Sequence, residues 1–241
     1  MPVYNEASGL ESTVSEIAEK VMNYLPNSML MIFEDGSEDD SKRVILNLTK
    51  KYSWLQPHLG RERKGYSRAV RDAILSVSEQ DCEYVMFMDS DGQYDPADFF
   101  KLWETMQSGK FDIVMAQRQK RAEPLYRVGL SSGLRVLERV LFDVHCEDVT
   151  SAFRLIRTDV AHKVASEITY SKYSFWLEFT ARATMEGRSF CEVPVVYRER
   201  KEGTSNVYSL RKMPKIAMNE LTAVLKTWWE YKVNGTGFDS L

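Results

Sequence analysis

The sequence contains few cysteines and histidines and no long apolar run. Its three cysteines, Cys82, Cys146 and Cys191, are widely spaced, and no cluster of histidines lies near them. This pattern fits neither a disulfide framework nor a zinc site, and it is typical of reduced thiols in a cytosolic setting. No apolar run approaches the roughly 20 residues that a membrane-spanning helix needs, and the first residues do not form a signal peptide. We therefore expect that the chain does not cross a membrane.

The sequence also lacks a strong excess of either charge. Its 32 basic and 35 acidic side chains give a formal net charge of -3, and no basic block dominates. Nucleic acid is therefore not an expected partner. With 241 residues, of which 44% are hydrophobic and 28% charged, the chain has the composition of a soluble globular protein with one large α/β core.

Strand-like and helix-like segments alternate along most of the chain. Short apolar runs predict strands near 28–33, 54–59, 84–88 and 111–116, and amphipathic segments between them predict helices. Pro57 indicates that its strand lies at an edge, and Pro194 is expected to break a strand near 190–197. This alternation predicts an α/β fold whose mostly parallel central sheet is covered by helices on both faces.

The C-terminal segment has a helical pattern of its own, which ends on Trp228 and Trp229. Tryptophans beside an apolar stripe are typical of a membrane interface, although such a stripe is also typical of packed core. We expect a main domain over residues 1–209, an amphipathic helix over 210–231 that could face a membrane, and a disordered tail over 232–241.

A pair of carboxylates follows the strand predicted near 84–88. Asp89 and Asp91 lie one residue apart, just before Gly92 and Gln93. Ligands of open α/β sheets bind beyond the carboxyl ends of the strands, so the two carboxylates are placed to meet one. Two like charges this close repel each other unless a cation lies between them, and their oxygens, with the amide oxygen of Gln93, suit Mg²⁺ or Mn²⁺. The alternative is a surface turn with two solvated carboxylates.

Seven short motifs occur in a characteristic order along the chain. They are Pro2-Val3-Tyr4-Asn5-Glu6, Glu34-Asp35-Gly36-Ser37, Lys64-Gly65, Asp89-Ser90-Asp91-Gly92-Gln93, Arg118, Thr150-Ser151-Ala152-Phe153-Arg154, and Arg200 with Gly203 and Ser205. In this order the sequence resembles the family 2 glycosyltransferases of the GT-A fold, over roughly residues 1–206. The resemblance is greatest to the branch of dolichyl-phosphate mannose synthases and polyisoprenyl-phosphate glycosyltransferases.

The resemblance implies a single GT-A (Rossmann-like) domain and a role for each motif. The residues implied to bind a nucleotide-sugar are Pro2, Tyr4, Glu6, Phe33, Asp35, Lys64, Asp89 and Ser90. Asp91 and Gln93 would hold Mg²⁺ or Mn²⁺, and the implied catalytic residues are Asp91, Arg118 and Arg200. The residues implied to contact an acceptor phosphate are Arg118, Arg127, Ser131 and Arg200.

The reaction implied by the resemblance is metal-dependent, inverting transfer of a sugar from a GDP- or UDP-linked donor to a polyprenyl phosphate of the dolichyl type. Departure of a nucleoside diphosphate builds negative charge, which a divalent cation and arginine side chains would stabilise. A phosphate acceptor is already anionic and needs no general base, whereas a hydroxyl acceptor would need one. Asp148 and Glu178 are the candidate bases, and Asp148 could instead order a loop.

Two departures from the family pattern leave alternatives open. Relatives carry Ser-Lys where this chain has Ser205-Asn206, so Lys201 or Arg211 would have to supply that charge, and Ala152 replaces a glycine. One alternative is transfer to a hydroxyl of a glycan or small molecule. The other is a nucleotide-sugar-binding regulatory module without turnover. We expect a peripheral protein on the cytoplasmic side of a membrane, and either a membrane-anchoring partner or a homo-oligomer would be compatible with it.

Overall fold

The strands form two hydrogen-bonded groups in the computed structural model. The structure describes residues 1–77, 82–119, 125–200 and 213–234. It describes their side chains too, except those of residues 125–132, 213 and 234. In the first group, β1 (Pro2–Val3), β2 (Leu30–Glu34) and β3 (Leu55–Leu59) are parallel, with β2 in the middle. The edge position predicted for the strand that contains Pro57 is thus confirmed, because β3 is the outer strand of this group.

The second group contains β4 (Tyr84–Phe87), β5 (Ile113–Gln119), β6 (Arg154–Arg157) and β7 (Phe190–Val196), in the order β4-β6-β5-β7. The strand β6 is antiparallel to β4 and to β5, whereas β5 and β7 are parallel. Within the described ranges, three of the five strand pairings are therefore parallel. The mostly parallel arrangement is confirmed, with β6 as the exception.

Helices cover both faces of the strands. The α-helices of the described residues are α1 (Ala7–Lys20), α2 (Ser41–Lys51), α3 (Tyr66–Leu75), α4 (Phe99–Gln107), α5 (Leu125–Phe142), α6 (Thr158–Glu167), α7 (Phe175–Met185) and α8 (Met213–Asn234). Along β4, Val85 and Phe87 belong to a core cluster shared with α3, α6 and α7, whereas Tyr84 and Met86 pack against a cluster shared with α1, α2 and α4. Each large apolar side chain buried in this way stabilises the fold by roughly 1.5–3 kcal/mol.

Two segments differ from their predicted form. The strand β7 runs through Pro194 without a break, because it is the outer strand of its group and a proline there removes no inner hydrogen bond of the sheet. The helix α8 continues to Asn234, past the expected end at residue 231, since its buried face extends to Tyr231. Residues 210–212 and 235–241, which complete the predicted helix and tail, lie outside the described residues.

Two further features concern the cysteine thiols and the lengths of the helices. Cys82, Cys146 and Cys191 are free thiols. In the part of the chain that the structure describes, no helix has both the length and the apolar character that crossing a bilayer requires.

Candidate active site

The turn that follows β4 contains the predicted carboxylate pair. Gly92 adopts a φ of 71°, a conformation that side chains disfavour. The backbone N–H of Gln93 donates to Asp91 Oδ1 (3.1 Å), so one of the two acids closes the turn. The Tyr66 hydroxyl donates to Asp89 Oδ1 (3.2 Å). Both carboxylates are partly buried at the carboxyl end of the strand.

Burial acts on the pKa of both acids, and repulsion by Asp91 acts on that of Asp89. Burial, together with the negative charge of Asp91, raises the pKa of Asp89 to about 7. Burial also raises the pKa of Asp91, against the hydrogen bond from Gln93 and the positive charges of Arg200 and Arg118. The surrounding protein therefore compensates the negative charge of the pair only in part.

A divalent cation fits this pair by the chemistry of its donors. Carboxylate oxygens are hard ligands of the kind that Mg²⁺ and Mn²⁺ prefer. Among the described residues, no group of three or more His, Cys, Asp or Glu side chains could hold a metal ion by itself. A cation held by Asp91 and Asp89 would therefore complete its coordination with water or with ligand oxygens, as Mg²⁺ often does beside phosphates.

Gln93 connects the turn to the end of β7. Its side-chain oxygen accepts from the Tyr197 hydroxyl (2.8 Å), and its side-chain nitrogen donates to the carbonyl of Arg198 (3.2 Å). The backbone N–H of Arg198 donates to the carbonyl of Gln93 (2.8 Å). These contacts hold the Gln93 side chain at the end of β7, and its role as a metal ligand stays a prediction.

Arg118 lies near the end of β5 with its guanidinium held in a fixed orientation. Its Nε and one terminal nitrogen donate to the two oxygens of Asp148, at 2.7 Å each, and the same terminal nitrogen also donates to Thr150 Oγ1 (2.8 Å). The guanidinium also lies over the ring of Tyr197, 5.1 Å from its centroid. A fork of this kind leaves little rotational freedom to the arginine.

Asp148 is itself fixed by the neighbouring strand. Glu192 of β7 accepts hydrogen bonds from the backbone N–H groups of Glu147 (2.7 Å) and Asp148 (2.8 Å). Asp148 is 4% exposed, and its carboxylate also accepts from the backbone N–H of Arg118 (3.0 Å). The carboxylate therefore orders the loop and the arginine, in agreement with the loop-ordering interpretation of the sequence.

Arg200 approaches the same edge from the segment after β7. It forms an ion pair with Glu6, which precedes α1. Burial raises the pKa of Glu6, and the hydrogen bond and charge of Arg200 oppose that rise. The positive charge of Arg200 also opposes the rise in the pKa of Asp91, so the arginine acts on two acids of the site.

The segment that carries Arg200 is anchored two residues earlier, at Arg198. Arg198 pairs with Glu16 of α1 (2.8 Å) and with Asp95, and Lys20 bonds to the same two acids, at 2.8 and 2.9 Å. This network of two acids and two cations fixes the chain where it leaves β7.

Several residues predicted to bind a nucleotide-sugar lie at or near the ends of β1 and β2. Asp35 accepts from the backbone N–H groups of Lys64 (2.7 Å) and Gly65 (2.9 Å). Gly36 allows this loop to approach, because a Cβ there would lie 2.4 Å from the backbone of Glu62. The Lys64 side chain pairs instead with Asp72 (2.6 Å), on the surface.

Four further residues predicted to bind a nucleotide-sugar lie in this region or in the turn after β4. Pro2 pairs with Phe33 in the register of β1 and β2, and Phe33 stacks on His58 with ring centroids 4.3 Å apart. Tyr4 lies under the guanidinium of Arg63, 3.9 Å from its ring centroid. Ser90 is buried between the two acids of the turn.

Several predicted residues fall elsewhere. Glu178, the second candidate base, is 3% exposed and accepts from the backbone N–H groups of residues 169–171 and from Arg182 (2.9 Å), so it has a structural role. The side chains of Arg127 and Ser131 lie outside the described ones, as do Lys201, Ser205, Asn206 and Arg211.

Sequence reasoning missed four side chains that organise the site. They are Tyr66, Thr150, Glu192 and Tyr197. The local signals were Thr150, which belongs to one of the seven motifs but was given no role, and Glu192, an acid within an otherwise apolar strand.

The fold defines the class of protein to which the chain belongs. A structure of glucosyl-3-phosphoglycerate synthase from Mycobacterium tuberculosis, in complex with Mn²⁺, UDP-glucose and phosphoglyceric acid, matches 95% of this chain and 78% of its own, with a TM-score of 0.69 and 16% identity. A structure of the same enzyme with Mg²⁺ and UDP gives a TM-score of 0.68, with 16% identity, over 95% of this chain and 77% of its own. The GT-A glycosyltransferase fold is thus confirmed.

The sequence places the chain within that class more closely. The family model described as "Glycosyl transferase family 2" matches residues 1–165. The chain belongs to this family and is a glycosyltransferase. It is 27% identical to the polyprenol monophosphomannose synthase of Mycolicibacterium smegmatis, over 86% of this chain and 79% of the relative. It is 24% identical to the undecaprenyl-phosphate mannosyltransferase of Micrococcus luteus, over 86% and 85%.

Proposed function

We propose that this glycosyltransferase is metal-dependent and inverting, and that it moves a sugar from a GDP- or UDP-linked donor to a polyprenyl phosphate. The observation that carries the proposal is the Asp89 and Asp91 pair at the end of β4, on which the positive charges of Arg118 and Arg200 act. The relatives named for polyprenyl and undecaprenyl phosphate support the acceptor, and fold neighbours with Mn²⁺ or Mg²⁺ support the cofactor.

Each charged group has a part in this chemistry. Asp91, with Asp89, would hold Mg²⁺ or Mn²⁺, which when bound supplies positive charge to the leaving diphosphate. Arg118 is held rigidly by Asp148, so its charge is in place before the reaction and needs no reorganisation. Arg200, paired with Glu6, would bind a second phosphate group. Attack by the acceptor opposite the leaving diphosphate inverts the configuration at the sugar.

The contacts of the two candidate bases favour a phosphate acceptor over a hydroxyl. Both oxygens of Asp148 accept from Arg118, and Glu178 is enclosed by three backbone N–H groups and Arg182. Neither acid is placed to remove a proton from an acceptor hydroxyl. A phosphate oxygen needs no such base, because it is already ionised near neutral pH.

The acceptor implies contact with a membrane surface. The helix α8 exposes Leu225 and Trp229, at 45% and 63%, on the face that lies away from its buried side chains. We infer peripheral attachment through this face, on the cytoplasmic side of a membrane.

The test is a panel of GDP- and UDP-sugars with Mn²⁺ and a short polyprenyl phosphate, with the product identified by mass. Asp91→Asn is expected to lower transfer about 100-fold or more while the protein stays folded, because the cation loses its charged ligand. Asp159→Asn makes the same change on the surface of α6 and serves as the control. Full activity of Asp91→Asn, transfer only to hydroxyl acceptors, or donor binding without any turnover would overturn the proposal.

A further inference from the structure

One short segment contacts two carboxylates of the site. The backbone N–H groups of Lys64 and Gly65 donate to Asp35, at 2.7 and 2.9 Å. The next residue, Tyr66, begins α3 and donates its hydroxyl proton to Asp89 Oδ1 (3.2 Å). Asp35 follows β2 and Asp89 follows β4, so the segment 64–66 bridges the ends of two strands that belong to different hydrogen-bonded groups.

The hydroxyl of Tyr66 is itself oriented by α7. Trp176 Nε1 donates to the Tyr66 oxygen (3.0 Å). A phenol has one proton to donate, and because the indole occupies its oxygen as an acceptor, that proton is directed to Asp89. Trp176 is 2% exposed and packs edge-on against Phe87, the last residue of β4, with ring centroids 5.1 Å apart. The tryptophan is therefore fixed relative to the strand that carries Asp89.

We propose that Tyr66 is a positioning residue for the donor: its hydroxyl holds Asp89, and its backbone neighbours hold Asp35, at a fixed separation. This inference rests on the proposed function, in which Asp89, with Asp91, would hold the cation of the diphosphate, and on the expected place of Asp35 in the nucleotide-sugar site. The segment 64–66 then sets the distance between the two ends of the nucleoside diphosphate site. Affinity for the donor depends on Tyr66, and affinity for the acceptor does not.

The experiment measures binding of UDP and GDP, with and without Mg²⁺, by calorimetry in the full chain. Tyr66→Phe removes one oxygen atom and is expected to weaken binding of the preferred nucleotide about tenfold, because a hydrogen bond to a charged group is lost. The KM for a short polyprenyl phosphate is expected to stay within about twofold of that of the unsubstituted protein. Tyr231→Phe on α8 removes another buried phenol hydroxyl, beside Arg182 of α7, and controls for a general loss of stability.

A double-mutant cycle with Asp89→Asn separates positioning from a structural role. If Tyr66 acts through Asp89, then Tyr66→Phe has less than about a twofold further effect on nucleotide affinity once Asp89 is replaced. Additive effects, equal losses of donor and acceptor affinity, or unchanged affinity in Tyr66→Phe would overturn the assignment. If the unsubstituted protein binds neither nucleotide, the proposed function fails and this assignment fails with it. If it binds one and Tyr66→Phe binds it equally well, only this assignment fails.

Discussion

At the scale of single residues, the buried acids of this protein divide into two kinds. Glu178 and Asp148 are surrounded by backbone N–H groups and an arginine, which satisfy each carboxylate within the fold. The negative charges of Asp89 and Asp91 are compensated only in part by the protein, which indicates a binding site for a positively charged ligand. Glu138 of α5 is different again, because it is fully buried and neither of its oxygens has a hydrogen-bond partner among the described residues.

Replacement of Glu138 by glutamine is expected to stabilise the protein at high pH. Burial raises the pKa of Glu138 well above its ordinary value, so the carboxyl is neutral in the folded state while it ionises in the unfolded chain above about pH 4.3. The folded state therefore loses stability as pH rises from the pKa of the unfolded carboxyl to the raised pKa of the folded one. The loss is up to about 1.4 kcal/mol for each pH unit in that range. Glu138→Gln removes this loss.

Urea unfolding at pH 5 and pH 8 measures the effect. The variant and the unsubstituted protein are expected to differ little at pH 5 and by more than about 1 kcal/mol at pH 8, with the variant more stable. Glu104→Gln makes the same change at an exposed position of α4. The opposite result would be a variant whose stability, compared with that of the unsubstituted protein, falls between pH 5 and pH 8. It would show that the carboxyl of Glu138 is ionised in the folded state.

At the scale of elements, local patterns predicted the strands and helices better than their partners. The apolar run before Asp89 indicated β4 and its ligand-facing end, because strand composition and a following turn are local properties. The antiparallel direction of β6 could not be predicted in this way, since it depends on which strands β6 meets. The hydrogen bond of Gln93 with Tyr197 joins residues 104 positions apart, and no spacing in the sequence encodes it.

The loop between Cys146 and Ser151 shows how an element outside the motif fixes a motif residue. Glu192 accepts from two backbone N–H groups of this loop, and a glutamine there could accept with one oxygen only, while its amide group would face an N–H. We expect Glu192→Gln to lower the free energy of unfolding by about 1 kcal/mol. We also expect a fall of about tenfold in kcat/KM, because Arg118 loses its fixed partner.

Glu147→Gln tests whether the position of Asp148, rather than the charge of the loop, causes the effect. The Glu147 side chain is exposed and pairs with Arg135 and Arg139, and only its backbone contacts Glu192. This control is expected to retain nearly full activity, as surface ion pairs contribute roughly 0–1 kcal/mol. Transfer kinetics and denaturant unfolding would be measured on both variants. Unchanged kinetics in Glu192→Gln would mean that Arg118 is oriented without it.

At the scale of the whole molecule, α8 carries apolar side chains on its exposed face as well as on its buried face. The exposed face carries five apolar side chains that are between 37% and 64% exposed, namely Met218, Leu221, Leu225, Trp229 and Val233. The buried face contains Ile216, Ala223, Val224 and Tyr231, together with Glu220 and Thr227. A surface helix normally exposes polar side chains, so the exposed apolar stripe supports the membrane contact proposed above.

The charges on α8 indicate what kind of membrane surface the helix would contact. The charged side chains that it exposes are Lys215, Lys226 and Lys232, whereas Glu220 is buried and Glu230 pairs with Arg182 (2.9 Å). Lysines beside an exposed apolar stripe favour an anionic lipid surface, by about 1 kcal/mol for each lysine near it. We therefore expect sedimentation with phosphatidylglycerol vesicles to exceed that with phosphatidylcholine vesicles by at least tenfold in affinity, and to weaken as salt rises.

The double variant Leu225→Ala with Trp229→Ala tests whether α8 makes this contact. Each of these side chains contributes roughly 1.5–3 kcal/mol when it is fully transferred from water. Both would insert only in part, so we expect the double variant to lose about tenfold or more in affinity for vesicles. Tyr24→Ala removes an aromatic residue that is 68% exposed and lies outside α8, just after α1, and controls for exposed aromatic surface in general. Because α8 contributes no residue to the nucleotide site, donor affinity should be equal in all three proteins. Vesicle binding that survives in the double variant and falls in Tyr24→Ala would place the membrane contact elsewhere on the molecule.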